Sequence, residues 1–216
     1  YKKNMPTRFF GNPMFDGMIS SVKKPTKLTL LLLPGSRKEA IQNMKTMLRI
    51  LDQLHLKKQL DFIVSLSSNF KYSDLKQVVK NLPWITKKKQ DKWIFQHSRK
   101  PLHVDVSYDF YDALQQSSLV LGLAGTANEQ SMHANRQLIS FIGSGPQSTK
   151  KRFLQQHRLI EGAQPVLIPS NDPAVISEKL SLFINSTDFQ WSPLSDYHQN
   201  VSKDISQCLL NEFFSS

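Results

Sequence analysis

The chain has 216 residues, 39% of them hydrophobic, with a formal net charge of +11 and one cysteine. This length suits one large domain or a domain with an appendage, and the apolar content is enough for a real core. No apolar run approaches the ~18–20 residues of a membrane-spanning helix, and the single Cys208 excludes an internal disulfide, so a reducing, cytoplasmic setting is expected.

Residues 1–26 lack a strong period. Arg8-Phe9-Phe10 reads as a short strand, Gly11-Asn12-Pro13 and Asp16-Gly17 as turns, and Lys23-Lys24-Pro25 as a polar break. The sequence opens Tyr1-Lys2-Lys3 without an initiator methionine, so this segment is expected to lead in from an upstream domain. Leu28 to Leu33 is a continuous apolar run with one threonine, Thr29, as a parallel strand buried on both faces requires. It stops at Pro34-Gly35, and a helix follows with Ile41, Met44, Leu48, Leu51 and Leu54 on one face. Further along come a strand at Asp61–Leu66, a helix at Asp74–Leu82, and strands at Lys92–Gln96 and Leu102–Val106. Tyr108–Gln116 is helical by pattern and feeds an apolar run, Leu119–Ala124, that ends in Gly125-Thr126. A short amphipathic segment carries Glu129-Gln130, and a second apolar run, Leu138–Ile142, enters a Gly-rich turn. Ser148–Ile160 reads as a helix and Pro165–Ile168 as a strand. Asp172-Pro173 opens a helix to Ile184, with an Asp cap and Pro in the first turn. After Trp191-Ser192-Pro193 a last helix carries Tyr197, Val201, Ile205, Leu209 and Phe213, and is expected to dock away from its own sheet. The strand–helix alternation predicts an α/β fold, a mostly parallel sheet with helices on both faces.

Three turns carry the candidate chemistry. Pro34-Gly35-Ser36-Arg37-Lys38-Glu39 joins the first strand to the first helix, and two readings are open there. Ser36 and Glu39 have the S-x-x-E spacing of a capping box. Alternatively, the helix start receives a phosphate, with Gly35 allowing close approach and Arg37 pairing with the anion. Gly125-Thr126-Ala127-Asn128-Glu129-Gln130 has the same two readings. Thr126 and Glu129 have capping-box spacing, or the backbone meets a pyrophosphate and Glu129 a ribose diol. Two such turns in one sheet favour a shared ligand site at the carboxyl ends of the strands. In the third turn Gly143, Gly145 and Pro146 shape a loop in which Gln147, Ser148 and Thr149 offer groups suited to sugar hydroxyls or phosphate; a plain surface turn is the alternative.

Other chemistries lack their signatures. The phosphate-loop G-x-x-x-x-G-K, the G-x-S-x-G elbow and the dinucleotide G-x-G-x-x-G are absent, and the histidines show no metal-ligand spacing. Neither a metal nor a nicotinamide cofactor is expected. The basic clusters Lys2-Lys3, Lys23-Lys24, Lys87-Lys88-Lys89 and Lys150-Lys151-Arg152 are scattered. They read as solvated surface, or as attraction to an anionic membrane or a phosphorylated substrate. No nucleic-acid-binding motif accompanies them.

Gly11-Asn-Pro-Met14 with Asp16-Gly17, Leu33-Pro-Gly-Ser-Arg37, Ala124-Gly-Thr-Ala127, Glu129-Gln130, and Phe141 through Gly145-Pro-Gln147 and Thr149 occur in one order between Gly11 and about Ile168. Together they resemble the lipid-A-disaccharide synthase group of GT-B glycosyltransferases, closest to the lipid-A-disaccharide synthase-related branch of cyanobacterial type. The resemblance implies two Rossmann-like domains facing across a cleft. The C-terminal one binds a UDP-sugar donor without metal; the N-terminal one supplies most acceptor contacts and the catalytic base. This chain resembles the C-terminal half. Residues 27–190 would be the Rossmann-like nucleotide-sugar domain, 1–26 the lead-in from the missing N-terminal domain, and 191–216 a helix crossing back to it.

By position, the resemblance places Gly35, Ser36 and Arg37 at the diphosphate, with Gly125 and Thr126 donating to it. Glu129 would hold the ribose or orient the site, beside Gln130, and Gln147 would reach the donor sugar from a loop shared with Ser148 and Thr149. In the synthase the acidic residue falls one position later, where this chain has Gln130, and Asn128 and Gln137 stand where Thr and Pro are expected. The implied activity is hexosyl transfer to a lipid-linked acceptor at the inner membrane face, by a longer protein of which this fragment alone is inactive. A non-hydrolysing UDP-sugar 2-epimerase and a non-catalytic nucleotide-sugar-binding module are the alternatives. If Arg37 pairs with phosphate, Arg37→Ala weakens UDP binding by about 1–3 kcal/mol in titration calorimetry; an unchanged affinity removes Arg37 from the site.

Overall fold

The computed structural model describes residue 16 and residues 25–36, 38–146, 148–157, 165–186 and 201–214. Its central strand, β1 (Thr29–Leu33), is buried at every position. Leu30 and Leu32 enter one core with Met44, Met47 and Leu48, while Leu31 and Leu33 enter a second with Ala113, Leu114 and Met132. Alternate side chains of a strand point to opposite faces, so an uninterrupted apolar run is what two cores require.

The remaining elements are α1 (Ala40–Asp52), β2 (Asp61–Ser65), α2 (Tyr72–Val79), β3 (Trp84–Lys89), β4 (Lys92–His97), β5 (His103–Ser107), α3 (Phe110–Gln116), β6 (Leu119–Gly122), α4 (Gly125–His133), β7 (Gln137–Phe141), α5 (Lys150–His157), β8 (Val166–Ile168), α6 (Pro173–Ser186) and α7 (Val201–Phe214). The strands form one sheet in the order β3-β4-β5-β2-β1-β6-β7-β8. From β5 to β8 every neighbouring pair is parallel, and only β4 runs against its neighbours. Helices α1, α2 and α6 supply the first core, α3 and α4 the second. The fold is therefore α/β and Rossmann-like, with helices on both faces, as the alternation predicts.

The sequence reading has no strand at β3, and the structure corrects this. Only Trp84 of its six residues is buried, and three lysines end it. β3 is an edge strand, where one side needs no partner and charged residues discourage further pairing, so it carries no apolar period. Gln90 and Asp91, both at positive φ (46° and 64°), close the hairpin to β4 in the twist that two-residue loops favour. The predicted Asp172 cap is present: its Oδ1 accepts the Ala174 N–H at 2.9 Å. α3 begins at Phe110, two residues later than the pattern suggests, because Asp109 Oδ1 accepts the Asp112 N–H at 3.0 Å and caps it. The expected strand at Arg8–Phe10, the turn at Gly11–Pro13, and Tyr197 lie outside the described residues. Asp16 sits in a turn, and its two carboxylate oxygens accept the N–H groups of Val201 (2.9 Å) and Ser202 (2.7 Å). The Asp16 carboxylate thus acts as an anionic cap on the first turn of α7. Among the described residues no helix is long and apolar enough to cross a membrane.

At the other end of the sheet, a charge cluster ties α1 to the β4–β5 turn. Asp52 Oδ1 lies 2.9 Å from His97 Nε2 and 2.8 Å from Lys100 Nζ, which also donates to the Asp52 carbonyl. His97 is buried, and its Nδ1 accepts the N–H groups of Arg99 and Lys100, both at 3.0 Å, which puts a neutral ring's proton on Nε2. Nε2 is not aligned for a hydrogen bond, so its contact with Asp52 is chiefly electrostatic. Burial pushes the Asp52 carboxyl up, but Lys100 and His97 outweigh it and hold the group below its ordinary value of 3.8. A carboxylate whose folded pKa is depressed stabilises the fold above its unfolded pKa, and that contribution is lost as pH falls through the folded one. Asp52→Asn is therefore expected to lower stability near neutral pH by about 1 kcal/mol or less, and to flatten the loss of stability below about pH 4. Thermal melts across that pH range check this; an acid limb identical to the parent's would remove Asp52 from it.

Candidate functional site

β1 is followed by α1 and β2 on one side, and the chain later crosses through α3 to β6 on the other. Strand order reverses between β1 and β6, which leaves a crevice beyond their carboxyl ends where ligands of open α/β sheets bind. A cavity of about 590 Å³ opens there, large enough for a small-molecule ligand. Pro34, Gly35 and Ser36 border it after β1, and Leu123 to Ala127 with Gln130 after β6. Ser144 to Pro146, Ser148 and Arg152 close it after β7. Ser65 to Ser68 after β2, and Tyr108, Phe110 and Tyr111 after β5, form the opposite wall.

One buried side chain fixes two of these loops. Asn43, on the packed face of α1, donates from Nδ2 to the Pro34 carbonyl (2.9 Å) and the Ser144 carbonyl (3.3 Å), and its Oδ1 accepts the Ser144 N–H (2.8 Å). The amide has both donors and an acceptor, so it can bridge backbone groups of both kinds. A second tether sets α4. The Gly122 carbonyl accepts from Asn128 Nδ2 (3.3 Å) and from Ser140 Oγ (2.7 Å). A Cβ at Gly122 would fall 2.1 Å from Asn128 Oδ1, so only glycine admits this approach. Gly145 has φ +99°, and a Cβ there would lie 2.9 Å from the Glu39 side chain.

Neither expected capping box forms. α1 begins at Ala40, so Glu39 is its cap residue; it already has helical dihedrals and makes no side-chain cap hydrogen bond. Ser36 precedes that cap by three residues and is exposed at the cavity. Glu39 instead packs its side chain against Gly145. α4 begins at Gly125 with Ala124 as its cap residue, also without a side-chain cap hydrogen bond. Gly125 adopts helical geometry, so Thr126 and Glu129 both lie inside the helix, where a capping box cannot form.

The predicted residues divide accordingly. Gly35, Ser36, Gly125, Thr126, Gln130 and Ser148 border the cavity. Gln130 donates from Nε2 to the Tyr111 hydroxyl (3.3 Å). Glu129 turns to α5, with Oε1 3.8 Å from Arg152 Nη2, and does not border the cavity. Thr149 is also away from it. Its hydroxyl accepts the Arg152 N–H (3.2 Å) in the first turn of α5, so the third turn does contain a cap that its spacing had not suggested. Arg37 and Gln147 lie outside the described residues.

Asn43 and the Tyr108–Tyr111 wall escaped the sequence reading, and Arg152 enters it only within the basic cluster Lys150-Lys151-Arg152. Asn43 had one available signal, a polar residue within the stripe formed by Ala40, Met44, Met47 and Leu51. The Tyr108 hydroxyl is pushed above its ordinary value by burial and by the Asp74 carboxylate. Beneath α4, burial lowers His133 to about 4 and Arg136 to about 10, while Arg136 Nε donates to the Leu114 carbonyl (3.3 Å). These two groups belong to the support of α4 and do not border the cavity. Among the described residues no group of three or more His, Cys, Asp or Glu side chains could hold a metal.

Comparisons with protein-family models, with curated proteins and with solved structures found no match to this chain. Removal of the Asn43 amide leaves backbone groups of both loops unpaired. Asn43→Ala is expected to cost about 1–3 kcal/mol of unfolding free energy, measured by urea denaturation; a change within about 0.5 kcal/mol, the range of a neutral surface substitution, would show that the loops hold without it.

Proposed function

We propose that the crevice beyond β1 and β6 binds a nucleotide sugar, most simply a UDP-sugar, as the donor half of a glycosyltransferase related to lipid-A-disaccharide synthase. The observation that carries this reading is a cavity at the strand-order reversal, bordered by a helix start whose cap residue makes no side-chain hydrogen bond. The first turn of a helix presents backbone N–H groups and a partial positive charge to an anion. Arg152, whose guanidinium also lies 3.8 Å from Glu129, borders the same side of the cavity and has further donors to offer an anion. The diphosphate belongs there, within reach of the hydroxyls of Thr126 and Ser36. The planar base belongs against the opposite wall, where Tyr108 and Tyr111 offer rings and the Gln130 contact orients Tyr111.

In transfer, the bond from the anomeric carbon to the β-phosphate oxygen breaks, an acceptor oxygen bonds to that carbon, and UDP departs. Negative charge grows on the diphosphate as the bond breaks, so donors aimed at that oxygen stabilise the transition state more than the bound substrate. The acceptor, lipid-linked in this reading, and the group that takes its proton belong to the partner domain of a longer protein.

The 216-residue chain should bind UDP and UDP-N-acetylglucosamine in titration calorimetry, with or without EDTA, and turn over neither. Arg152→Ala is expected to weaken UDP by about 1–3 kcal/mol. Folded protein that binds neither nucleotide would sink the proposal. Conversion of UDP-N-acetylglucosamine to its 2-epimer without an acceptor would replace transfer by epimerisation. Binding without turnover in the longer protein supplied with acceptor would leave a sensing module.

A further inference from the structure

A second group of residues, unused by the nucleotide-sugar reading, lies at the far edge of the sheet. β4 opposes both β3 and β5, so β3 runs in the same direction as β5. The hairpin end at residues 87–92 therefore points to the same end of the sheet as the cavity, four strand positions from β1, or about 20 Å. The start of α2, which follows β2, lies at that end too. Lys71, Lys76, Lys87, Lys88, Lys89 and Lys92 are all exposed there. With Asp74 and Asp91, six lysines and two aspartates leave a net charge of +4.

The Tyr72 and Trp93 rings stack at 4.6 Å between these lysines, and Lys76 Nζ sits 4.6 Å from the Tyr72 ring centre. Tyr72 is 45% exposed. Asp91 pairs with Lys88 at 3.0 Å, and the Asp74 carboxylate accepts the Lys71 N–H. Among the described residues Lys87, Lys89 and Lys92 have no carboxylate partner. Protection of an edge strand accounts for lysines on β3. It does not account for Lys92, on the inner strand β4 and directly across from Lys89, where like charges oppose one another at a cost to stability. An external anion relieves that repulsion.

We propose that this hairpin end and the Tyr72–Trp93 stack form a docking surface for an anionic phospholipid bilayer. Lysine clusters are drawn to anionic headgroups, and long lysine stems lie against apolar surface while their heads stay hydrated. Tyrosine and tryptophan favour the same water–lipid boundary, with an apolar ring and a polar edge. Single-stranded nucleic acid is the weaker fit, because base stacking needs an open ring face, and Trp93 and Lys76 already cover Tyr72. The proposal stands without the nucleotide-sugar reading. Where both hold, docking turns the cavity end of the sheet toward the lipid.

The full 216-residue chain should sediment with phosphatidylcholine vesicles that contain phosphatidylglycerol, not with phosphatidylcholine alone, and salt should release it. The triple variant K87Q/K89Q/K92Q should lower the partition coefficient about 100-fold, with its melting temperature within a few degrees of the parent. A control triple of equal charge change, K57Q/K58Q/K179Q, should lower it by tenfold or less, roughly what general attraction to the net charge gives. Equal losses from the two triples would overturn the site in favour of that general attraction. So would absence of anionic-vesicle binding, or binding of a single-stranded oligonucleotide, but not of vesicles, that the hairpin triple abolishes.

Discussion

β1 is hydrogen-bonded along both edges and buried on both faces, and the architecture of the crevice follows from that constraint. Its partners β2 and β6 are reached by crossovers that leave in opposite directions. Right-handed crossovers then place α1 and α2 on one face and α3 and α4 on the opposite face. Beyond the carboxyl ends of β1 and β6 neither set of helices closes the gap. Leu33 and Gly122 are register partners at those ends, so the turns that follow them flank a single crevice.

The crevice holds its shape because its loops are anchored from below. Asn43 satisfies buried backbone groups from the turn after β1 and the turn after β7, which are far apart in sequence and meet only in the fold. Gly122 yields space to Asn128, and Ser140 completes the hydrogen bonding of the same carbonyl. Each anchor pairs a polar group out of reach of water, where an unpaired donor or acceptor is expensive. The cap residues of the helix starts above them, Glu39 and Ala124, make no side-chain cap hydrogen bonds.

The two ends of the sheet carry different sets of charged side chains. At the amino end Asp52 meets Lys100 and His97, and the cluster knits α1 to the β4–β5 turn. At the carboxyl end Arg152 pairs with Glu129 beside the cavity, and among the described residues Lys87, Lys89 and Lys92 of the hairpin have no carboxylate partner.

The amino-acid sequence by itself determined the alternation of strands and helices, the two-faced burial of β1, and the Asp172 cap, because each depends on neighbours within a few residues. It also marked Gly35, Ser36, Gly125, Thr126, Gln130 and Ser148, all of which reach the cavity. It could not settle whether Ser36–Glu39 and Thr126–Glu129 are caps, since a shift of two or three residues in the helix start decides that. Local spacing likewise offered no hint of β3, whose exposed edge needs no apolar period. Only the tertiary structure set Gln130 against Tyr111 and turned Glu129 toward Arg152. It alone brought Asn43 under two loops and gathered the lysines around the Tyr72–Trp93 stack. Those pairings join elements far apart along the chain, and no local pattern encodes them.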